Sequence, residues 1–153
     1  KIDVGKSPNN HPVPQSEINK ILLEQALLGN KVVRLKGGDS FLFGRGGEEL
    51  ELLAAHNIPF EVIPGVTSAI SVPAYAGIPV THRDFVSSLH IITGHAKAGK
   101  EPNIDFTALV NTGGTLVFLM GVAALQNICN GLIQAGMPKN KLFLLYLPYM
   151  RRQ

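Results

Sequence analysis

Apolar and polar positions along the chain follow two periods in turn. Ile18, Ile21, Leu22 and Leu28 recur at helical spacing, which predicts a helix from Pro14 to Leu28, with Pro14 at its entry and Gly29 as its stop. Lys31–Leu35 is short and β-branched and predicts a strand. A helix over Glu48–His56 follows, with acidic residues in its first turn and Asn57 suited to a left-handed end. Phe60–Ile63 predicts a second strand, and Thr67 or Ser68 can cap the helix after it. Beyond a connector at Gly77–Arg83, strands are predicted at Leu89–Thr93, Thr115–Met120 and Leu142–Leu147. Asp105 can cap a short helix to Asn111, and Leu125, Ile128, Cys129, Leu132 and Ile133 form a helical stripe ended by Gly136 and Pro138. Strands alternating with helices predict an α/β fold in two small, incomplete lobes, 1–83 and 84–153.

Two turns stand out because each joins a predicted strand to a predicted helix. Lys31–Leu35 runs into Gly37-Gly38-Asp39 and then Gly44-Arg45-Gly46-Gly47, while Phe60–Ile63 runs into Pro64-Gly65-Val66-Thr67-Ser68. Open α/β sheets bind ligands at the carboxyl ends of their strands. Paired glycines permit positive φ and close approach of a ligand to the main chain, and Asp39 adds a fixed acceptor. A tight turn without a ligand accounts for Gly37-Gly38-Asp39 alone equally well. The stretch matches neither G-x-G-x-x-G nor the G-x-x-x-x-G-K-[ST] phosphate loop.

Composition narrows the classes. Of 153 residues 45% are hydrophobic and only 16% charged, which supports a packed core and argues against disorder. The net charge of +3 is a mild basic excess without basic runs, so nucleic-acid binding is poorly supported, whereas an anionic small molecule suits it. The single cysteine, Cys129, excludes an internal disulfide and fits a reducing, cytoplasmic compartment; it lies on a helical stripe and reads as a core thiol. No metal-ligand spacing occurs, so no metal is expected. Thr115–Ile133 is apolar, but Gly121, Gln126, Asn127 and Asn130 interrupt it, and no membrane span is expected.

VVRLKGGDSFLFGRGGEE followed by IPFEVIPGVTSAISVPAYAGIPVTHR closely resembles the tetrapyrrole methylases, as do VGKSPNNHPVPQSEIN, LHIITGHAK and TLVFLMGV at similar spacing. The resemblance runs from about Val4 to Pro138. It implies two α/β lobes holding S-adenosylmethionine in the cleft between them, a homodimer, and methyl transfer to ring carbons of uroporphyrinogen III, giving precorrin-2 for sirohaem and cobalamin synthesis, with S-adenosylhomocysteine as product. Carried over by position, Gly37, Gly38 and Asp39 match the cofactor-binding GGD. Leu42 matches an apolar cofactor contact, Thr67 and Ser68 a second contact and Met120 a third, while Lys6, by itself an ordinary loop lysine, matches a proton donor.

Methyl transfer from a sulfonium to an electron-rich ring carbon needs no metal; positioning supplies most of the rate, and an acid/base group handles the ring proton. A polycarboxylate substrate calls for cations. Lys6, His11, Arg45, His82, Arg83, His95 and Lys97 are candidates, with Arg45, between glycines, favoured. The family pattern also includes an earlier strand with a Gly-x-Gly-Pro-Gly-Asp-like loop, a strand carrying an aspartate proton acceptor, and a late Glu-Asn-Gly-Thr-like turn. None is found here, so the sequence reads as a fragment in which Lys6 lacks its partner. Three alternatives stay open: another corrin-pathway methylase, a non-catalytic cofactor-binding remnant, and an anion-binding α/β module without methyl chemistry.

Overall fold

The computed structural model describes residues 1–5, 13–95, 104–141 and 143–146. The chain divides into two compact units, Lys1–Thr67 and Ser68–Gln153.

The first unit is built on two helices, α1 (Gln15–Leu27) and α2 (Gly46–Ala55). Ile18 and Leu22, one helical turn apart, are the buried apolar residues of α1. The helices are also tied by polar contacts: Asn19 Nδ2 donates to the Glu48 carbonyl at 3.0 Å, and Gln15 Nε2 donates to Glu49 Oε1 at 3.1 Å. Both ends fall where the sequence places its stops, with Gly29 at φ 78° and Asn57 at φ 56°.

The strands expected at Lys31–Leu35 and Phe60–Ile63 do not form. Neither segment makes ladder hydrogen bonds among the described residues, and Val33, Leu35 and Ile63 are 80%, 84% and 72% exposed. A strand is a property of a pair, and β-propensity without a neighbouring strand forms no ladder. The predicted strand Leu142–Leu147 fares likewise at 143–146; Leu142 and Leu147 lie outside the described residues.

The second unit carries α3 (Ser68–Tyr75), β1 (Leu89–Thr93), α4 (Phe106–Asn111), β2 (Thr115–Leu119) and α5 (Leu125–Gln134). The two strands pair in parallel, Leu89 opposite Thr115 and Thr93 opposite Leu119, with α4 in the crossover, as parallel neighbours require. Asp105 caps α4 as expected, its side chain accepting from the Ala108 N–H at 2.9 Å. Ile128 and Leu132 are the buried face of α5; Cys129 is half-buried rather than a core thiol, because it stands one position round the helix from Ile128. At the carboxyl ends of the strands the backbones nearly touch. Gly94 N–H donates to the Leu119 carbonyl at 2.7 Å, and a methyl group on Gly94 would overlap Gly121 Cα. Among the described residues no helix is long and apolar enough to cross a membrane, and no acidic, histidine or cysteine cluster could hold a metal.

Candidate functional site

The glycine-rich stretch of the first unit is organised by Asp39. Its Oδ1 accepts from the N–H groups of Phe41 at 2.9 Å and Leu42 at 2.8 Å, closing the turn after Gly37-Gly38. Its Oδ2 accepts from the Gly65 N–H at 3.3 Å, 26 residues away. One carboxylate therefore holds together the two turns that the sequence offers as ligand sites. The three backbone donors, Leu42 first, then Phe41 and Gly65, keep the Asp39 pKa below its ordinary value.

Glycines make this approach possible. Gly38 has φ 71°, and a Cβ on it would lie 3.6 Å from the Val66 carbonyl oxygen. A Cβ on Gly65 would overlap the Gly38 carbonyl and fall 3.2 Å from Asp39 Cα. The loop then folds round the Ser40 carbonyl, which accepts the Gly46 N–H at 3.1 Å, one of the unpaired donors at the start of α2. A Cβ on Gly44 or Gly46 would come within 2.5 or 2.6 Å of that oxygen. Ser40 Oγ is buried without a hydrogen-bond partner, so Ser40 acts through its main chain. Phe43 and Arg45, at φ 52° and 58°, carry the left-handed conformations that let the chain turn into α2.

Gly37 and Gly38 are exposed, and among the described residues neither N–H donates to protein. Asp39 Oδ2 accepts a single hydrogen bond and keeps acceptor capacity. These groups fit a ligand that offers carbonyl and hydroxyl oxygens. Leu42 is half-buried, and Thr67 ends the unit two residues after Gly65.

Arg45 is engaged: its Nε and second terminal nitrogen hold the two Glu48 oxygens at 2.8 and 2.6 Å, an exposed bidentate pair. In the second unit Ser68 opens α3, and Met120, at φ 55° and 55% exposed, stands just beyond the carboxyl end of β2. His82 and Arg83 lie in a tight turn closed by the bridge between His82 and Val86. The His82 ring stacks obliquely on Phe85 with centroids 4.7 Å apart, and its Nδ1 accepts from the Asp84 N–H at 3.2 Å. Arg83 is exposed and has no ion-pair partner among the described residues. His95 is exposed at the end of β1; Lys6, His11 and Lys97 lie outside the described residues.

Sequence reasoning missed Gly65 as a partner of Asp39, and it missed Lys36 and Glu49. Lys36 Nζ donates to Glu49 Oε2 at 3.0 Å and also to the Gly44 carbonyl, so the loop is tied to α2 at its own start. The legible signal was period two: Arg34 and Lys36 alternate with Val33 and Leu35, placing both cations on one side.

The family model for Tetrapyrrole (Corrin/Porphyrin) Methylases matches residues 1–144. The chain belongs to the tetrapyrrole methylase family. It is 64% identical over 140 residues to the porphyrin biosynthesis protein HemD of Ruminiclostridium josui, covering 92% of this chain and 28% of that protein. It is 54% identical over 136 residues to the siroheme synthase of Saccharophagus degradans, covering 89% and 30%. The uroporphyrin-III C-methyl transferase of Thermus thermophilus, solved in complex with S-adenosyl homocysteine, superposes with a TM-score of 0.68 at 39% identity over 81% of this methylase chain and 53% of that enzyme. The chain thus spans less than a third of those curated relatives and about half of the solved enzyme. The α/β class expected from the sequence is that of the family.

Proposed function

We propose that the chain carries the cofactor-binding part of an S-adenosylmethionine-dependent C-methyltransferase that converts uroporphyrinogen III to precorrin-2. The observation that carries the reading is the Asp39 carboxylate joining the Gly37-Gly38 turn to the Gly65 turn, in a chain 39% identical to a methyltransferase solved with S-adenosyl homocysteine. Bound there, S-adenosylmethionine supplies an electrophilic methyl group.

The chain's own residues bind and orient. The N–H groups of Gly37 and Gly38, which donate to no protein group among the described residues, and the spare acceptor of Asp39 Oδ2 take the polar groups of the cofactor, and Leu42 and Thr67 are further cofactor contacts in the same reading. Ser68 and Met120 are the cofactor contacts of the second unit in the same reading. Holding reactants in line is worth roughly 7–11 kcal/mol in well-oriented systems, so a methyl transfer without a metal can rest on positioning. Lys6 acts as proton donor to the macrocycle. Arg83, which has no ion-pair partner among the described residues, and His82 beside it meet substrate carboxylates; Arg45 does so by exchanging its Glu48 partner for a substrate carboxylate, two similar charge-assisted pairs. The working form is a cytoplasmic homodimer, a reading supported by the lone cysteine and by the exposed apolar side chains of Val33, Leu35, Ile63 and Val66.

Calorimetric titration of the full chain with S-adenosylhomocysteine tests the reading. Saturable binding that Asp39→Ala weakens supports it. Absence of binding sinks it, and equal binding of adenosine nucleotides lacking the sulfur side chain favours an anion-binding module instead.

A further inference from the structure

Glu49 is the buried charged side chain of the described residues, 4% exposed. Its Oε2 accepts from Lys36 Nζ at 3.0 Å, and its Oε1 accepts from Arg34 Nε at 3.2 Å and Gln15 Nε2 at 3.1 Å. A carboxylate this buried persists only when paired and hydrogen-bonded. Burial pushes its pKa up, but hydrogen bonds from Lys36 and Gln15 and the charges of Arg34 and Lys36 outweigh burial and leave it below the ordinary value.

Lys36 is attached both to Glu49 and to the far side of its own loop. Its side chain is 13% exposed, and the ammonium donates to the Gly44 carbonyl as well as to Glu49. Lys36 immediately precedes Gly37, and Gly44 lies near the end of the same loop. One ammonium therefore spans the loop from its start to its finish, and Glu49, in the first turn of α2, anchors that ammonium to the helix. Arg34 does not span it: its other contact is the Leu35 carbonyl, one residue on.

We infer that the Lys36–Glu49 pair is the positioning strap of the Gly37-Gly38-Asp39 turn. It sets the direction in which the free N–H groups of Gly37 and Gly38 face, and so the affinity for the adenosyl ligand, without touching that ligand. The inference rests on the cofactor reading given above. Lys36→Met removes the strap but leaves Glu49 paired with Arg34 and Gln15. The double variant Lys36→Met/Glu49→Leu removes strap and buried charge together, so a folding defect from a stranded carboxylate is separable from loss of the strap.

The experiment combines amide hydrogen exchange with calorimetry on the full chain and both variants, well below the unfolding temperature. Lys36→Met is expected to speed exchange across residues 37–46 while α5 exchanges as before, and to weaken S-adenosylhomocysteine binding about tenfold, the loss of a hydrogen bond to a charged group. The double variant is expected to match Lys36→Met in both readouts. Lys36→Arg, which keeps the charge and a donor, is expected to recover part of the affinity. Unchanged exchange across 37–46 in both variants, or faster exchange with unchanged affinity, overturns the strap. If the unaltered chain binds no S-adenosylhomocysteine, the cofactor reading fails, and with it the strap's role in affinity; the exchange data still decide whether Lys36 holds the loop.

Discussion

The Gly65 N–H donates to Asp39 Oδ2 at 3.3 Å, joining two turns whose linked residues stand 26 positions apart. Each turn alone is an ordinary connection between a chain segment and a helix. Joined, they place exposed peptide groups beside a carboxylate that is held ionised, and that is an arrangement able to grip a ligand with both donors and acceptors.

Gly65→Ala tests the closeness of this approach. The new methyl group would overlap the Gly38 carbonyl, and both partners are main chain, so the turns must part. Overpacking of this kind costs about 1–3 kcal/mol. We expect a lower melting temperature and weaker S-adenosylhomocysteine binding, read by calorimetry. Gly47→Ala, where a Cβ meets nothing within 4 Å, should leave both intact.

The pH dependence has a definite sign. Asp39 has a folded pKa below its unfolded value. Its contribution is therefore complete above the unfolded pKa, about 3.9, and is lost as pH falls through the depressed folded value. The stability difference between the unaltered chain and Asp39→Asn should be constant at neutral pH and shrink in acid below about pH 4. Denaturant titrations at a series of pH values check this; a difference that widens in acid contradicts it.

Glu49 offers a second contrast. Removing its charge leaves Arg34 and Lys36, both mostly buried, without their shared partner, and breaking a buried pair costs about 3–5 kcal/mol. Glu49→Ala should accordingly lower the urea midpoint of the first unit. The triple replacement of Arg34, Lys36 and Glu49 by apolar residues of similar volume should recover much of that stability, as buried ion pairs often do no better than apolar packing. Equal loss in both would mean that helix packing at Glu49, not charge, is responsible.

In the second unit Gly131 reverses the usual rule for helices. Glycine to alanine in a helix interior ordinarily stabilises by roughly 1 kcal/mol. A Cβ on Gly131, however, would run into the Phe106 ring of α4 and lie 2.9 Å from its Cγ. Gly131→Ala should therefore destabilise, and Phe106→Leu in the same chain should remove most of the penalty. Thermal melts of Gly131→Ala, Phe106→Leu and the double variant check the order.

Much of the organisation was legible in local signals. The stops at Gly29, Asn57 and Gly136, all at positive φ, fall where glycine and asparagine end the helical patterns, because the left-handed conformation is cheap only for such residues. Asp105 before Phe106 was readable as a cap for the same local reason, its side chain reaching an N–H three residues on. The parallel strands Leu89–Thr93 and Thr115–Leu119 were also readable, each a compact apolar run bounded by turn residues.

What only the tertiary structure decided depends on partners distant in the chain. Lys31–Leu35 and Phe60–Ile63 have strand composition, yet pairing is set by a neighbour rather than by propensity, and no ladder forms among the described residues. The role of Asp39 as a clasp on Gly65, and of Lys36 as a strap between Gly44 and Glu49, could not be read locally. A side chain's few hydrogen-bonding directions are filled by whichever groups folding brings within about 3 Å, and sequence spacing does not encode that meeting.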